Sequence, residues 1–310
     1  MPNTLPSTLP KQRLLITGKS GQLGQSFAKL VNEYPQYDFI FLGREQLDLS
    51  QPDSLERALE SIEFDTIINC AAHTAVDKAE SEPELADAIN HQSVKQLAQI
   101  AKQRNVALIH ISTDYVFDGK NHKPYIETDP VDPQSIYGLT KLKGEQALHR
   151  INPKGCIVRT SWVYSEFGNN FVKTMLRLGK ERDQLGIIFD QVGSPTYATD
   201  LARALLELLK QIGTEDDKSD NQTDEVLPIY HYSNEGVCSW YDFAKAIFEL
   251  AELTVKVNPI ETKDYPTPAK RPHYSLMNKA KIKQDFGLDI PYWKDSLQAC
   301  LNELQNTNKN

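Results

Sequence analysis

Tyr137 and Lys141 stand four residues apart in "IYGLTK", where a loop rich in Pro and Asp gives way to a helical pattern. Helical neighbours at i and i+4 share a face, so an ammonium at Lys141 lies within reach of the Tyr137 phenol and favours its ionised form. A phenol near pKa 10 is a poor acid-base partner at neutral pH until such a cation draws it closer. Spacing alone does not separate chemistry from coincidence, because "YDFAK" repeats it with Tyr241 and Lys245. That second pair follows "GVCS" and shares its segment with Trp240, Phe243, Ile247 and Phe248, an apolar helical pattern that assigns it to packing.

Two further groups could complete a site around the first pair. "TGKSGQLG" places Gly18, Gly21 and Gly24 in a G-x-x-G-x-x-G array directly before a helical pattern. Glycines there permit a tight turn and let backbone amides at the helix N-terminus approach a pyrophosphate. The second strand ends "FLGRE", with Gly43 and Arg44 where an NAD-selective site carries an acidic residue for the ribose 2′-hydroxyl. Arg44, with Lys19 as a second cation, suits a 2′-phosphate instead, so NADPH is the expected cofactor and NADH the alternative. "ISTDYVFDG" sets Ser112, Thr113, Asp114 and Tyr115 at the carboxyl end of the fourth strand, where ligands bind in open α/β sheets. Thr113 and Tyr137 are separated by a loop, so hydroxyl and phenol can converge on one carbonyl oxygen.

The elements that must position these groups are legible as short apolar runs alternating with helical patterns. "RLLIT", "DFIFL", "DTIINC", "VALIHIS" and "CIVRT" are nearly continuous in hydrophobicity, as strands buried on both faces are. Between them, "PDSLERALESI" and "PELADAINHQSVKQLAQIAKQRN" read as helices. The alternation implies right-handed crossovers and an α/β fold: a doubly wound parallel sheet of Rossmann type. Past Arg159 come a helix "NNFVKTMLRLGK", a strand "LGIIF", a helix "TDLARALLELLKQI" and the polar stretch "GTEDDKSDNQTD", which reads as an exposed loop. A short strand "PIYHYS", two or three helices and the Pro-rich "DYPTPAKRP" follow. The expected division is a cofactor domain of residues 11–160 with about 186–231, a smaller α/β substrate domain of about 161–185 with 232–310, and a disordered tail at 1–10.

Composition excludes several classes. With 310 residues, 40% hydrophobic and 25% charged, the chain is an ordinary globular protein with a sizeable core. Its net charge of −8 and the lack of any Lys/Arg run leave no footprint for nucleic acid or an anionic membrane. Cys70, Cys156, Cys238 and Cys300 are widely spaced, show no C-x-x-C pattern and read as buried thiols of a reducing compartment. "MPNTLPSTLP" lacks the charged start and apolar core of a signal peptide, so the expected location is the cytoplasm. No His/Asp/Glu cluster has zinc spacing.

The glycine array, the Ser/Thr closing strand four and the Y-x-x-x-K opening the next helix resemble the extended short-chain dehydrogenase/reductases. "NCAAHTAVDKAESEP", "STDYVFDG", "YGLTKLKGE", "RTSWVY", "GNNFVKTML" and "YPTPAKRP" narrow the likeness, from about Arg13 to about Leu304, to the dTDP-4-dehydrorhamnose reductase family. The resemblance implies that Tyr137 gives a proton to a C4 carbonyl oxygen while NADPH delivers hydride. It implies that Lys141 lowers the phenol's pKa and holds the nicotinamide ribose, and that Thr113 bonds the same carbonyl oxygen. It places Gly18, Lys19, Gly21, Gln22, Leu23, Gly24, Arg44, Asp48, Leu49, Ala71, Ala72 and His73 along the cofactor, with His73 neither acid nor metal ligand. Thr74, Val76, Tyr115, Trp162 and Asn170 match positions lining a pocket for a dTDP-sugar, and Arg271 matches a contact to a nucleotide phosphate. Val76 and Trp162 also suit packing, and Asn170 also suits a helix cap. A homodimer is an assembly the resemblance allows.

One departure bears on metal. Some relatives are Mg-linked dimers with a glutamate soon after the glycine array, where this chain has Gln25 and Ser26, so no metal requirement is expected. Two rival functions share much of the pattern. Nucleotide-sugar epimerases and 4,6-dehydratases share the fold, but dehydratases follow the catalytic Thr with Asp-Glu, and here Tyr115 follows Asp114. A non-catalytic subunit like the β subunit of methionine adenosyltransferase is disfavoured by the intact Thr113, Tyr137 and Lys141.

Overall fold

Strands that are apolar at every position, and not only at alternate ones, must be covered on both faces. The computed structural model, which describes residues 11–212 and 226–307, shows how that cover is arranged. The tail at 1–10 and the polar stretch at 213–224 lie outside the described residues. Five strands from the first half carry the main sheet: β1 (Gln12–Thr17), β2 (Tyr37–Leu42), β3 (Thr66–Asn69), β4 (Ala107–Thr113) and β5 (Gly155–Thr160). Short strands follow: β6 (Val163–Tyr164), β7 (Gln184–Ile188), β8 (Val192–Gly193), β9 (Thr196–Tyr197), β10 (Ile229–His231), β11 (Cys238–Ser239) and β12 (Lys256–Ile260). The main sheet is wholly parallel in the order β2-β1-β3-β4-β5-β10. The order reverses between β1 and β3, and in such sheets the crevice at that switch point is the ligand site.

The helices are α1 (Gln22–Leu30), α2 (Leu55–Leu59), α3 (Val76–Ser81), α4 (Pro83–Asp87), α5 (Ser93–Gln103) and α6 (Ile136–Ile151) in the first half. The second half has α7 (Phe171–Glu181), α8 (Ala198–Ile212), α9 (Trp240–Leu250), α10 (Ala280–Phe286) and α11 (Trp293–Thr307). Leu14 and Ile16 of β1 face Phe27, Leu30, Leu201, Leu205 and Ile282 from α1, α8 and α10. Leu15, between them, faces Leu55, Leu59, Val94 and Leu97 from α2 and α5. One uninterrupted apolar run thus supplies two cores, which is why it does not alternate. A third core joins Met175 of α7, Phe243 and Ile247 of α9, and Leu297 and Leu301 of α11. Strand β7 pairs with β12 in a small sheet of its own, apart from the six-stranded one.

The expected single helix over 83–105 is broken. Between α4 and α5 lies one π turn, Ala88–Gln92, which turns Asn90 inward to full burial. Asn90 accepts from His73 N (2.9 Å) and donates to His73 O (3.1 Å) and Thr140 Oγ1 (3.2 Å), so the widened turn is held by a side chain that clamps the loop after β3 to α6. π turns of this kind gather at functional sites.

Helix α6 carries the sheet-facing stripe Tyr137, Lys141 and Glu145, all buried. Ser135 caps its start, accepting from Gly138 N at 3.2 Å. A Cβ at Gly138 would lie 2.2 Å from Tyr115 O, so only glycine lets the end of β4 approach the first turn this closely. Glu145 accepts from Ser112 Oγ of β4 and, bidentately, from Arg159 of β5 at 3.0 and 2.7 Å. Removing one partner of such a buried pair leaves the other charge uncompensated, so Glu145→Gln should lower the unfolding free energy by roughly 3 kcal/mol. Denaturant midpoints for the two proteins measure the loss.

Candidate active site

The carboxyl ends of β1, β3 and β4 meet at the switch point. Directly after β1, Gly18 has φ +70°, and Gly21 N bonds Gly18 O at 2.9 Å to close the turn. A Cβ at Gly24 would fall 2.3 Å from Gly18 O, so the glycine lets α1 press against the turn and bring its first amides to the crevice. Gln22 and Leu23 lie in the first turn of α1, with Leu23 in the core. Gln22 reaches the late segments: its Nε2 donates to Val163 O (3.2 Å), and its Oε1 accepts from Ser165 Oγ and Asn170 Nδ2 (2.9 Å each). Ala71 packs on Gly18, Ala72 follows it, and Ala71 N donates to Thr17 Oγ1 at 3.2 Å. His73 is clamped by Asn90, its Nε2 is 3.4 Å from Glu82, and its Nδ1 is buried without a partner.

The loop after β2 differs from expectation. The Arg44 side chain is 75% exposed and its Nε is 3.4 Å from Asp48 Oδ1, an oxygen that also accepts from Ser50 N and Oγ. Asp48 therefore shapes the turn, and Leu49 is buried with its carbonyl accepting from Ser93 Oγ at 2.6 Å. Lys19 pairs with Glu45 at 2.9 Å. Glu45, unremarked in "FLGRE", stands beside Arg44, so this loop offers both an acidic and a basic group. The signal was present in the sequence as the next residue.

At the end of β4, the Thr113 hydroxyl donates to Asp114 Oδ1 at 3.0 Å and stands beside the Tyr137 phenol. Burial pushes the phenol up to about 12, the bond to Thr113 draws it down, and the Asp114 carboxylate pushes it up again. Lys141 is turned elsewhere: its Nζ donates to Ile111 O at 2.6 Å and lies 3.1 Å from His110 Nε2. Its ammonium is thus held by β4, one helical turn along α6 from the phenol. Lys141 itself is brought down to about 8 by burial, against the opposing pull of Glu145. The control pair lies in the third core, where Tyr241 packs among the apolar groups of α9 and Lys245 is exposed.

Tyr115 packs edge-on against Tyr137 with ring centres 5.4 Å apart, and Val76 at the start of α3 joins the same cluster. Thr74 is exposed two residues earlier. Arg271 reaches this wall but is held bidentately by Asp77 at 3.0 and 2.7 Å. Trp162 has φ +48° and stacks on Trp240 at 3.7 Å, a partner the helical pattern of α9 had assigned only to packing. Asn170 caps α7 through Lys173 N (3.1 Å), the alternative open from the sequence, and its amide donates to Gln22 Oε1, Ser165 O and Phe167 O. Its side chain joins α7 to the glycine turn and has no polar atom left over. The buried Asn90 and His110 were missed, since neither periodicity nor a motif marks them. Among the described residues, no group of three or more His, Cys, Asp or Glu side chains is placed to hold a metal, and no helix is long and apolar enough to cross a membrane. All four cysteines are free.

A glycine turn at the switch point, with a hydroxyl, a phenol and a lysine gathered at the next strand ends, defines a Rossmann-type oxidoreductase of the extended short-chain class. Residues 12–306 match the family described as the RmlD substrate binding domain, and the chain belongs to that family. It is 44% identical to the dTDP-4-dehydrorhamnose reductase of Aggregatibacter actinomycetemcomitans, over 92% of this chain and 97% of that one. It is also similar to the crystal structure of a dTDP-4-dehydrorhamnose reductase from Clostridium acetobutylicum (TM-score 0.87, 41% identity, 95% of this chain and 100% of that one). The Bacillus anthracis enzyme of the same name, solved in complex with NADP, aligns with TM-score 0.86 and 38% identity over 95% of this chain and all of its own.

The site's own carboxylate makes a stability test. Burial raises Asp114 to about 6, and its Oδ2 has no well-formed hydrogen bond. A carboxyl raised in the folded state stabilises fully below its unfolded pKa, and that contribution is lost as pH rises through the folded value. Between pH 5 and 8 the wild type should therefore lose on the order of 1 kcal/mol relative to Asp114→Asn. Urea unfolding of both proteins at the two pH values reads the difference.

Proposed function

We propose that the chain reduces the C4 ketone of dTDP-4-dehydro-L-rhamnose (dTDP-6-deoxy-L-lyxo-4-hexulose) to dTDP-L-rhamnose, with NADPH as reductant, for rhamnose-containing cell-surface polysaccharide. The carrying observation is the convergence of the Thr113 hydroxyl and the Tyr137 phenol on the sheet edge that also holds the glycine turn. The reductase name borne by relatives of 41 to 44% identity along nearly their whole length supports the same reading.

The turn fits the cofactor, since Gly18 and Gly24 leave open the approach that side chains would fill. When bound there, NADPH supplies the hydride to the ketone carbon. The chain supplies the rest. Tyr137 keeps its proton at neutral pH, being pushed up to about 12, and gives it to the ketone oxygen. The Thr113 hydroxyl would turn from Asp114 to donate to the same oxygen. The charge of Lys141, one helical turn along, offsets the phenolate that remains. Gln22, Leu23, Ala71, Ala72 and His73 would line the cofactor, and Arg44 would meet a 2′-phosphate. Thr74, Val76, Tyr115 and Trp162 would wall the sugar pocket, and Arg271 would share its charge between Asp77 and a phosphate. We assign no metal to the chemistry because Gln25 and Ser26 are turned to Ser20 O and Gln22 O.

The strand pairing supports a cofactor domain of 11–160 with α8 and β10, and a substrate domain from the remaining late segments. The pairing of β7 with β12 supports assigning the segment from about 186 to about 198 to the substrate domain. Four free thiols support a cytoplasmic location, and a homodimer is the proposed assembly.

Loss of NADPH absorbance on addition of dTDP-4-dehydro-L-rhamnose, with dTDP-L-rhamnose as product, tests the reading, and absence of turnover rejects it. The two tyrosines sharpen it. Tyr137→Phe should fold, bind NADPH and turn over at least about a hundredfold more slowly, whereas Tyr241→Phe should stay within a few fold and change only thermal stability. Equal losses in both would remove Tyr137 from the acid's role. Arg44→Ala should weaken NADPH by about 1.5 to 3 kcal/mol while leaving NADH unchanged. An unaltered ratio of the two affinities excludes Arg44 from selection.

A further inference from the structure

The proton transfer just described leaves unused a buried polar chain beneath the site. Lys141 Nζ is 3.1 Å from His110 Nε2, and His110 Nδ1 is 3.0 Å from Asn69 Nδ2. Asn69 Oδ1 accepts from the Thr17 hydroxyl at 2.6 Å, and Thr17 Oγ1 accepts from Ala71 N. Thr17, Asn69, His110 and Lys141 are all buried. The chain therefore runs from α6 across β4 and β3 to the last residue of β1, immediately before the glycine turn.

Donor and acceptor rules assign its protons. An ammonium has three donors and no acceptor, so beside a charged Lys141 the facing nitrogen, Nε2, must be bare. A doubly protonated ring is not available, because burial and the Lys141 charge hold His110 well below its usual range. The single ring proton then sits on Nδ1, and Asn69 must present its oxygen there. An asparagine amide exchanges oxygen and nitrogen by half a turn, after which its nitrogen donates to Thr17 Oγ1. The opposite arrangement sets an N–H against Lys141 and suits only a neutral amine.

We propose that His110 is a positioning residue for the reductase chemistry, its bare Nε2 and the Ile111 carbonyl taking two of the three Lys141 N–H groups so that the third points away from β4. This rests on the role given to Lys141 under the proposed function. The groups facing Lys141 are His110 and the Ile111 carbonyl from β4 and Glu145 from its own helix, with Arg159 of β5 behind Glu145. Asn69 of β3 and Thr17 of β1 are neutral, and Asp114 acts on Tyr137. Loss of the His110 acceptor destabilises the charged amine, so Lys141, already lowered by burial, should titrate at still lower pH.

Two substitutions and one spectrum test this. His110→Gln keeps an acceptor near the Nε2 position, and His110→Asn keeps only the side facing Asn69. His110→Asn should lose at least about tenfold in kcat/KM and move the alkaline limb of its pH profile down by about one unit, while His110→Gln keeps the wild-type limb. Nitrogen-15 spectra of the labelled wild-type protein at pH 7, with His110 assigned by its disappearance in His110→Gln, should show the Nδ1–H tautomer. An Nε2–H tautomer, or a His110→Asn enzyme whose alkaline limb has not moved, overturns the proposal. Wild-type turnover tests the reductase reading itself, whereas the tautomer is read on the protein alone, so the two can fail separately.

Discussion

The buried carboxylate of Glu145 is the contact on which the geometry of this site depends. A carboxylate removed from water must be matched or it is costly, and here its partners come from two neighbouring strands, Ser112 of β4 and Arg159 of β5. Meeting both sets the height and rotation of α6 against the sheet. Lys141 and Tyr137 lie one and two turns back along the same stripe, so they inherit that placement. The close approach at Gly138 then brings Tyr115 and Thr113 to the phenol.

The same economy of buried polar groups governs the rest of the crevice. Asn90 satisfies both backbone groups of His73 and reaches Thr140 of α6, so the loop after β3 cannot drift from the helix that carries the tyrosine. Gln22 performs the equivalent task on the other side, joining the first turn of α1 to Val163, Ser165 and Asn170. Each tie costs desolvation that its hydrogen bonds offset with little net gain. Their contribution is geometric: the apolar layers hold the fold together, and the polar ties decide where the loops at its edge stand.

Burial also divides the work between the two titrating partners. It raises the Tyr137 phenol and lowers the Lys141 ammonium, since each charged form loses hydration. A phenol that keeps its proton is suited to donate one. A lysine that stays charged inside the protein must be given acceptors, and β4 provides them at Ile111 O and His110. The helical spacing of Tyr137 and Lys141 is thus shared with Tyr241 and Lys245, but only the first pair is enclosed in this way.

The strand runs, their order of alternation and the glycine array were legible because each depends on local pattern: continuous apolarity for two-sided burial and glycine for a strained turn. Thr113, Tyr137 and Lys141 could be singled out for the same reason, as residue types at strand ends and helix starts. The π turn at Asn90 was not legible, because a polar residue inside an amphipathic pattern gives no sign of the distant His73 and Thr140 that demand its burial. Nor was the commitment of Asn170 to Gln22, the pairing of Arg271 with Asp77, or the turning of Lys141 toward His110. Those are choices among hydrogen-bond partners far apart in the chain. The sequence by itself determined which elements form and which groups could react; which partner each buried polar group takes was decided only when the strands were brought side by side, because a hydrogen bond is set by distance and angle in space.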